Sequence, residues 1–124
     1  MNSQPVMKWT GSKRSQAKEI VARMPREIET YFEPFCGGCS VLYRLLQTKS
    51  VRVGRYVASD KNKDLISVFN LIKETPKVAI EGYERLWKEF NSRGEDFEWR
   101  KSFFAEVRER YNAAHDPVDF LFVI

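Results

Sequence analysis

The feature that most constrains this chain is a pair of adjacent glycines, Gly37-Gly38, set between a short apolar run and a helix-like one, with Asp60 following 22 positions after Gly38. Tyr31-Phe32-Glu33-Pro34-Phe35 has the length and aromatic content of a short buried strand that ends in the glycine turn. Ser40 to Gln47 has the pattern of the next helix, with Ser40 at its cap or in its first turn. Arg55-Tyr56-Val57-Ala58-Ser59-Asp60 is a second short strand. Lys63 to Glu74 is then a helix with Leu65, Ile66, Phe69 and Ile72 on one face and Pro76 beyond its end. Strand, turn, helix, strand, helix is the opening of a parallel α/β sheet.

On the N-terminal side, Ser15 to Met24 places Ala17, Ile20, Val21 and Met24 at helical spacing, and Pro25 helps to end that helix. From Lys77 the character changes. Val78 to Phe90 and Trp99 to Tyr111 are two further helical patterns, separated by the turn-rich Asn91-Ser92-Arg93-Gly94-Glu95-Asp96. Phe103, Phe104, Val107 and Tyr111 form a core stripe, with Arg100, Lys101, Arg108 and Arg110 mostly outside it. Asp116-Pro117 opens a new segment, and Asp119-Phe120-Leu121-Phe122-Val123-Ile124 is a strongly apolar end that needs a partner surface, which points to a cut chain.

At 124 residues the chain fits one compact domain, and its 43% hydrophobic and 14% aromatic content supplies a core and argues against disorder. No stretch approaches the roughly 18 apolar residues of a membrane span, and the first residues show no apolar signal region, so a cytoplasmic protein is expected. The net charge is +4. Among residues 1 to 30, Lys8, Lys13, Arg14, Lys18, Arg23 and Arg26 face only Glu19, Glu27 and Glu29, a local excess that suits either a phosphate-bearing partner or an ordinary solvated helix face.

A glycine turn between strand and helix lets backbone amides approach a ligand closely, and the helix N-terminus favours an anionic group there. An acid at the tip of the next strand, about 20 residues on, accepts hydrogen bonds from ribose hydroxyls; that logic holds for dinucleotide sites and carries to any nucleoside bound over a parallel sheet.

Glu33-Pro34-Phe35-Cys36-Gly37-Gly38-Cys39-Ser40-Val41 is similar to the cofactor loop of the Dam-type, D12-class DNA adenine methyltransferases. Lys8-Trp9-Thr10-Gly11-Ser12-Lys13 resembles the N-terminal signature that precedes that loop, and Ser59-Asp60-Lys61-Asn62 with Leu65-Ile66 resembles the family's acid-bearing second strand and its helix. Two positions depart from the pattern: Ser12 stands where Gly is frequent, and Cys39 where Gly or a small apolar residue is frequent. The resemblance covers essentially the whole chain and about the first half of a family member.

It implies a partial Rossmann-like methyltransferase fold that binds S-adenosylmethionine over residues 1–76, followed over 77–124 by the helical start of a target-recognition domain. By the same resemblance Trp9 and Lys13 line the cofactor pocket, Asp60 holds the ribose, and Glu33, Pro34, Phe35, Gly37 and Gly38 surround the methionine part, where the helix N-terminus suits the carboxylate. An aromatic such as Trp9 also suits a sulfonium through cation–π attraction. The implied partner is double-stranded DNA in a prokaryotic or phage setting.

The family's catalytic Asp-Pro-Pro-Tyr is absent. The one Asp-Pro, Asp116-Pro117, is followed by Val118 and Asp119 and lacks the second proline and the aromatic, so it is rejected as the catalytic motif and the chain alone is expected to be inactive. Bare apolar faces of a partial sheet make self-association expected. Two other readings stay open. Cys36-Gly37-Gly38-Cys39 is a C-x-x-C between strand and helix, the place of a thioredoxin-like redox pair. A non-catalytic module that holds cofactor or DNA without turnover is the other. A metal site is not expected, since two cysteines and the lone His115 are too few ligands; His115 is instead placed at a turn before Asp116-Pro117.

Overall fold

The computed structural model describes residues 6–124, which form two compact units divided between Lys61 and Asn62. Among the described residues there are six helices and one two-stranded parallel sheet, a mixed α/β architecture. No described helix is long and apolar enough to cross a membrane.

The first unit carries α1 (Ala17–Ala22), β1 (Glu27–Glu33), α2 (Ser40–Leu46) and β2 (Arg52–Ala58). The strands pair in parallel from Glu27 opposite Arg52 to Glu33 opposite Ala58. Both begin earlier than their apolar runs foretold. In β1, exposed Glu27 and Glu29 alternate with half-buried Ile28 and Thr30, the period of two expected where one face is covered. The ladder stops at Glu33 because Pro34 has no N–H to continue it. In β2 Gly54 lies so close to β1 that an added Cβ would stand 2.8 Å from the Glu29 carbonyl oxygen, so a side chain there would push the strands apart.

α1 is shorter than the predicted 15–24, because residues 14–16 turn tightly, with the Gln16 amide donating to the Lys13 carbonyl at 3.0 Å. Ala17 and Val21 from α1 meet Val41 and Leu45 from α2, and Met24, Tyr31, Val51 and Val53 pack around them. Outside this small core, apolar surface remains bare: Phe32 is 66% exposed and Tyr56 39%.

The second unit is wholly helical: α3 (Lys63–Glu74), α4 (Pro76–Phe90), α5 (Phe97–Ala114) and α6 (Pro117–Val123). Three of its helices, α3, α5 and α6, start at side-chain caps. Asn62 accepts from the Leu65 amide at 3.1 Å, Asp96 from the Trp99 amide at 3.0 Å, and Asp116 from the amides of Val118 and Asp119 at 2.9 and 3.1 Å. Pro76 does more than follow α3: it occupies the first turn of α4, where its missing N–H costs nothing. Leu65 and Val68 of α3 are fully buried.

Leu86, Phe103, Val107 and Phe122 form the unit's main core, with Phe90, Trp99, Phe104, Val118 and Val123 against it. The apolar run at the end of the sequence, expected to need a partner, instead folds back as α6. Phe122 meets the rings of Trp87, Phe90, Phe103 and Phe104 at centroid separations of 5.2 to 6.2 Å, and Phe120 is buried beside Tyr111.

Candidate functional site

The site is built where β1 and β2 end side by side. Beyond the last ladder pair the chains stay joined: the Ser59 amide donates to the Glu33 carbonyl at 3.0 Å, and the Cys36 amide donates to the Ser59 carbonyl at 2.9 Å. The Ser59 hydroxyl donates to the Pro34 carbonyl at 3.1 Å. These bonds bring the glycine turn over the tip of β2, and the Gly37 amide donates to Asp60 Oδ2 at 3.0 Å. A carboxylate offers about four acceptor positions, and this bond takes one. It also fixes the direction in which the carboxylate faces.

The turn itself demands unusual backbone. Gly37 has φ +50° and Cys39 φ +55°, both left-handed, and the Cys39 amide closes the turn on the Cys36 carbonyl at 2.7 Å. Trp9 lies against it. A Cβ on Gly37 would stand 3.2 Å from Trp9 Cδ1, and one on Gly38 would stand 3.0 Å from Trp9 Cβ. The glycine pair therefore makes room for the indole.

Glu33, the last residue of β1, is held by its own partners. The Tyr31 hydroxyl donates to its Oε2 at 2.8 Å and the Leu42 amide, in the first turn of α2, donates to it as well. Burial raises the Glu33 carboxyl above its ordinary value, and these two hydrogen bonds oppose the rise. Burial likewise lifts the Tyr31 hydroxyl, with the Glu33 carboxylate adding to the effect. The N-terminal field of α2 is thus already engaged by the chain's own acid.

Of the eight residues singled out in the sequence, Trp9, Gly37, Gly38 and Asp60 come together, and Glu33 stands at the start of α2. Pro34 and Phe35 are exposed, Phe35 at 92%, and Lys13 is exposed with its Nζ 3.4 Å from the Gly11 carbonyl oxygen. Sequence reasoning did not assign Tyr31, Ser12, Ser40 or Ser59 to the site. A Tyr two positions before an acid is a recognisable signal, since alternate residues share a strand face. The serines gave none beyond their place in the motifs.

The redox alternative finds the opposite of what it needs. Cys36 and Cys39 are free and buried, and burial pushes both thiols upward, away from the thiolate form that attacks a disulfide. Asp116-Pro117 has a structural role: Asp116 caps α6, and the buried Asp119 accepts a two-pronged hydrogen bond from Arg110 at 2.6 and 2.7 Å. His115 ends α5 in a left-handed conformation, with its Nδ1 3.1 Å from Asp64 Oδ2.

Comparison with known proteins gives the family of the chain. The family model of the D12 class N6 adenine-specific DNA methyltransferases matches residues 9–122. The chain is 34% identical to the type II methyltransferase M.MjaIII of Methanocaldococcus jannaschii, over 96% of this chain and 42% of that protein. It is 35% identical to the type II methyltransferase M1.LlaDCHI of Lactococcus lactis subsp. cremoris, over 65% of this chain and 26% of that protein. It is 30% identical to a DNA adenine methylase of Vibrio cholerae, over 90% of this chain and 35% of that protein. The chain belongs to the D12 class of N6 adenine-specific DNA methyltransferases. It spans less than half the length of these relatives.

Proposed function

We propose that this chain is the S-adenosylmethionine-binding portion of an enzyme that methylates the exocyclic amine of adenine in double-stranded DNA. The observation that carries the reading is the bond from the Gly37 amide to Asp60, which sets a carboxylate beside a glycine turn with an indole laid on it. Asp60 would hold the ribose hydroxyls with its carboxylate, which can accept several hydrogen bonds. Trp9 would offer an aromatic face to the sulfonium, and Glu33, steadied by Tyr31 and the Leu42 amide, would place negative charge beside the methionine part. Pro34, Phe35, Gly37 and Gly38 would wall the same end, and Lys13 the rim. The cofactor supplies a methyl group made electrophilic by its sulfonium.

In this reading β1, α2 and β2 begin a Rossmann-like sheet. Residues 1–76 serve the cofactor, and 77–124 begin a target-recognition domain working on DNA in a prokaryotic or phage-infected cytoplasm. The compact-unit boundary at Lys61 lies before α3, so the functional division is drawn one helix later than the structural one. The amine of adenine is a weak nucleophile because its lone pair is conjugated with the ring, so transfer needs groups that accept its hydrogens. With no Asp-Pro-Pro-aromatic in the sequence, the 124 residues should bind cofactor without transferring a methyl group. The bare Phe32 and Phe35 favour self-association of the chain by itself.

Calorimetry with S-adenosylmethionine, followed by a methyl-transfer assay on adenine-containing DNA, tests both parts. Binding without transfer is the expected pair of results. No measurable binding would remove the cofactor assignment, and transfer by this chain alone would remove the expectation that it is inactive by itself.

A further inference from the structure

The segment that carries Trp9 is neither helix nor strand. Residues 8–16 run as turns, with the Ser12 amide donating to the Trp9 carbonyl at 3.1 Å around Gly11, whose φ is +78°. Holding such a segment in one conformation costs backbone entropy at every residue, so whatever positions the indole must be anchored to something rigid. Met7 supplies one anchor by burial. The second is polar: Ser12 Oγ lies 2.5 Å from Ser40 Oγ, the short end of the range for a hydroxyl pair.

Ser40 is the first residue of α2 and is buried, and the next turns of that helix place Val41 and Leu45 in the core. It is therefore a fixed point. Because the Ser12 amide is bonded to the Trp9 carbonyl, fixing Ser12 on Ser40 also fixes the backbone of Trp9. The indole is thereby held within contact of the two glycines.

We infer that Ser12 and Ser40 form a latch that positions Trp9 on Gly37-Gly38 and thereby sets the affinity of the site for its ligand. The inference rests on the cofactor reading for the identity of that ligand, S-adenosylmethionine. Neither serine is a catalytic residue; both act through Trp9.

The test uses Ser12→Ala, Ser40→Ala, the double variant and Ser12→Thr, which keeps the hydroxyl. Amide exchange across residues 9–13 is followed without cofactor, with exchange across α4 and α5 as the control for folding, and cofactor dissociation constants are then measured by calorimetry. Either alanine should speed exchange in the 9–13 segment alone and weaken cofactor binding roughly two- to twelvefold, the span of one net hydrogen bond. The double variant should be no worse than either single one, and Ser12→Thr should restore both readouts. Unchanged exchange in both alanine variants, or losses that simply add in the double variant, would overturn the latch. Should the wild-type chain bind no cofactor, the cofactor reading fails while exchange in the 9–13 segment still decides whether the two serines hold it.

Discussion

Replacing Asp60 separates the two tasks assigned to its carboxylate. One of its contacts within the chain is the Gly37 amide at 3.0 Å, and its surroundings are only partly buried. A hydrogen bond to a charged acceptor contributes roughly 1.5–3 kcal/mol, less where water can substitute, so Asp60→Ala should lower the stability of the first unit by about 1 kcal/mol. Cofactor binding should suffer more. Losing one or two charge-assisted bonds from ribose hydroxyls corresponds to about tenfold to a few hundredfold in dissociation constant. Asp60→Asn keeps an oxygen for the Gly37 amide and nearly the same volume. It should leave stability close to wild type while binding falls between the two. Calorimetry for the cofactor and urea denaturation followed by circular dichroism give both numbers. Cys39→Ala is the control, since that thiol has no place in the proposed contacts. A dissociation constant changed less than about twofold by Asp60→Ala, or an equal loss from Cys39→Ala, would refute the assignment.

In the second unit Phe122 touches four aromatic rings, so Phe122→Ala should cost about 3–5 kcal/mol in denaturant unfolding of that unit, and a loss below 1 would mean that α6 is not part of the core. The thiols of Cys36 and Cys39 are buried and shifted upward, so alkylation near neutral pH should be slow until the protein unfolds; rapid labelling of the folded chain would contradict their placement. Asp64 is held below its ordinary value chiefly by the Tyr111 hydroxyl, 2.6 Å away, with His115 assisting. That stabilisation is present above the unfolded carboxylate range and fades as the pH falls through the lowered folded value. Burial and Asp64 lift Tyr111 from 10.0 to about 12, so its stabilisation, present below 10.0, fades as the pH rises toward about 12. Tyr111→Phe should flatten both limbs of the stability curve, and an unaltered acid limb would count against the pair.

Much of the helical half was legible because its signals are local. The apolar positions of α3 and α5 repeat at helical spacing, whereas the caps at Asn62, Asp96 and Asp116 came only from the structure. The strands were less so. β1 begins with Glu27 and Glu29, which read as polar linker until Arg52 to Gly54 are known to lie opposite them. Sheet pairing is a contact across some 25 positions, and single-sequence patterning does not carry it. The fate of the last six residues failed for a related reason. Composition shows that Phe120 and Phe122 must be covered, but not that the covering surface is α4 and α5 of the same unit.

The two glycines of the turn show why the site was only half visible. Gly37 is required by its own backbone, since φ +50° favours a residue without Cβ, and that kind of demand is what a glycine in a sequence advertises. Gly38 is required by its neighbour: a methyl group there would stand 3.0 Å from Trp9, 29 positions earlier, a distance that ordinary packing avoids. One residue type thus serves two unrelated constraints, one conformational and one steric, and only the first is a property of the local chain. The second exists because Ser12 and Met7 bring Trp9 back across the turn. The turn is therefore covered only when the N-terminal segment is in place, so a side chain added at Gly38 also displaces Trp9.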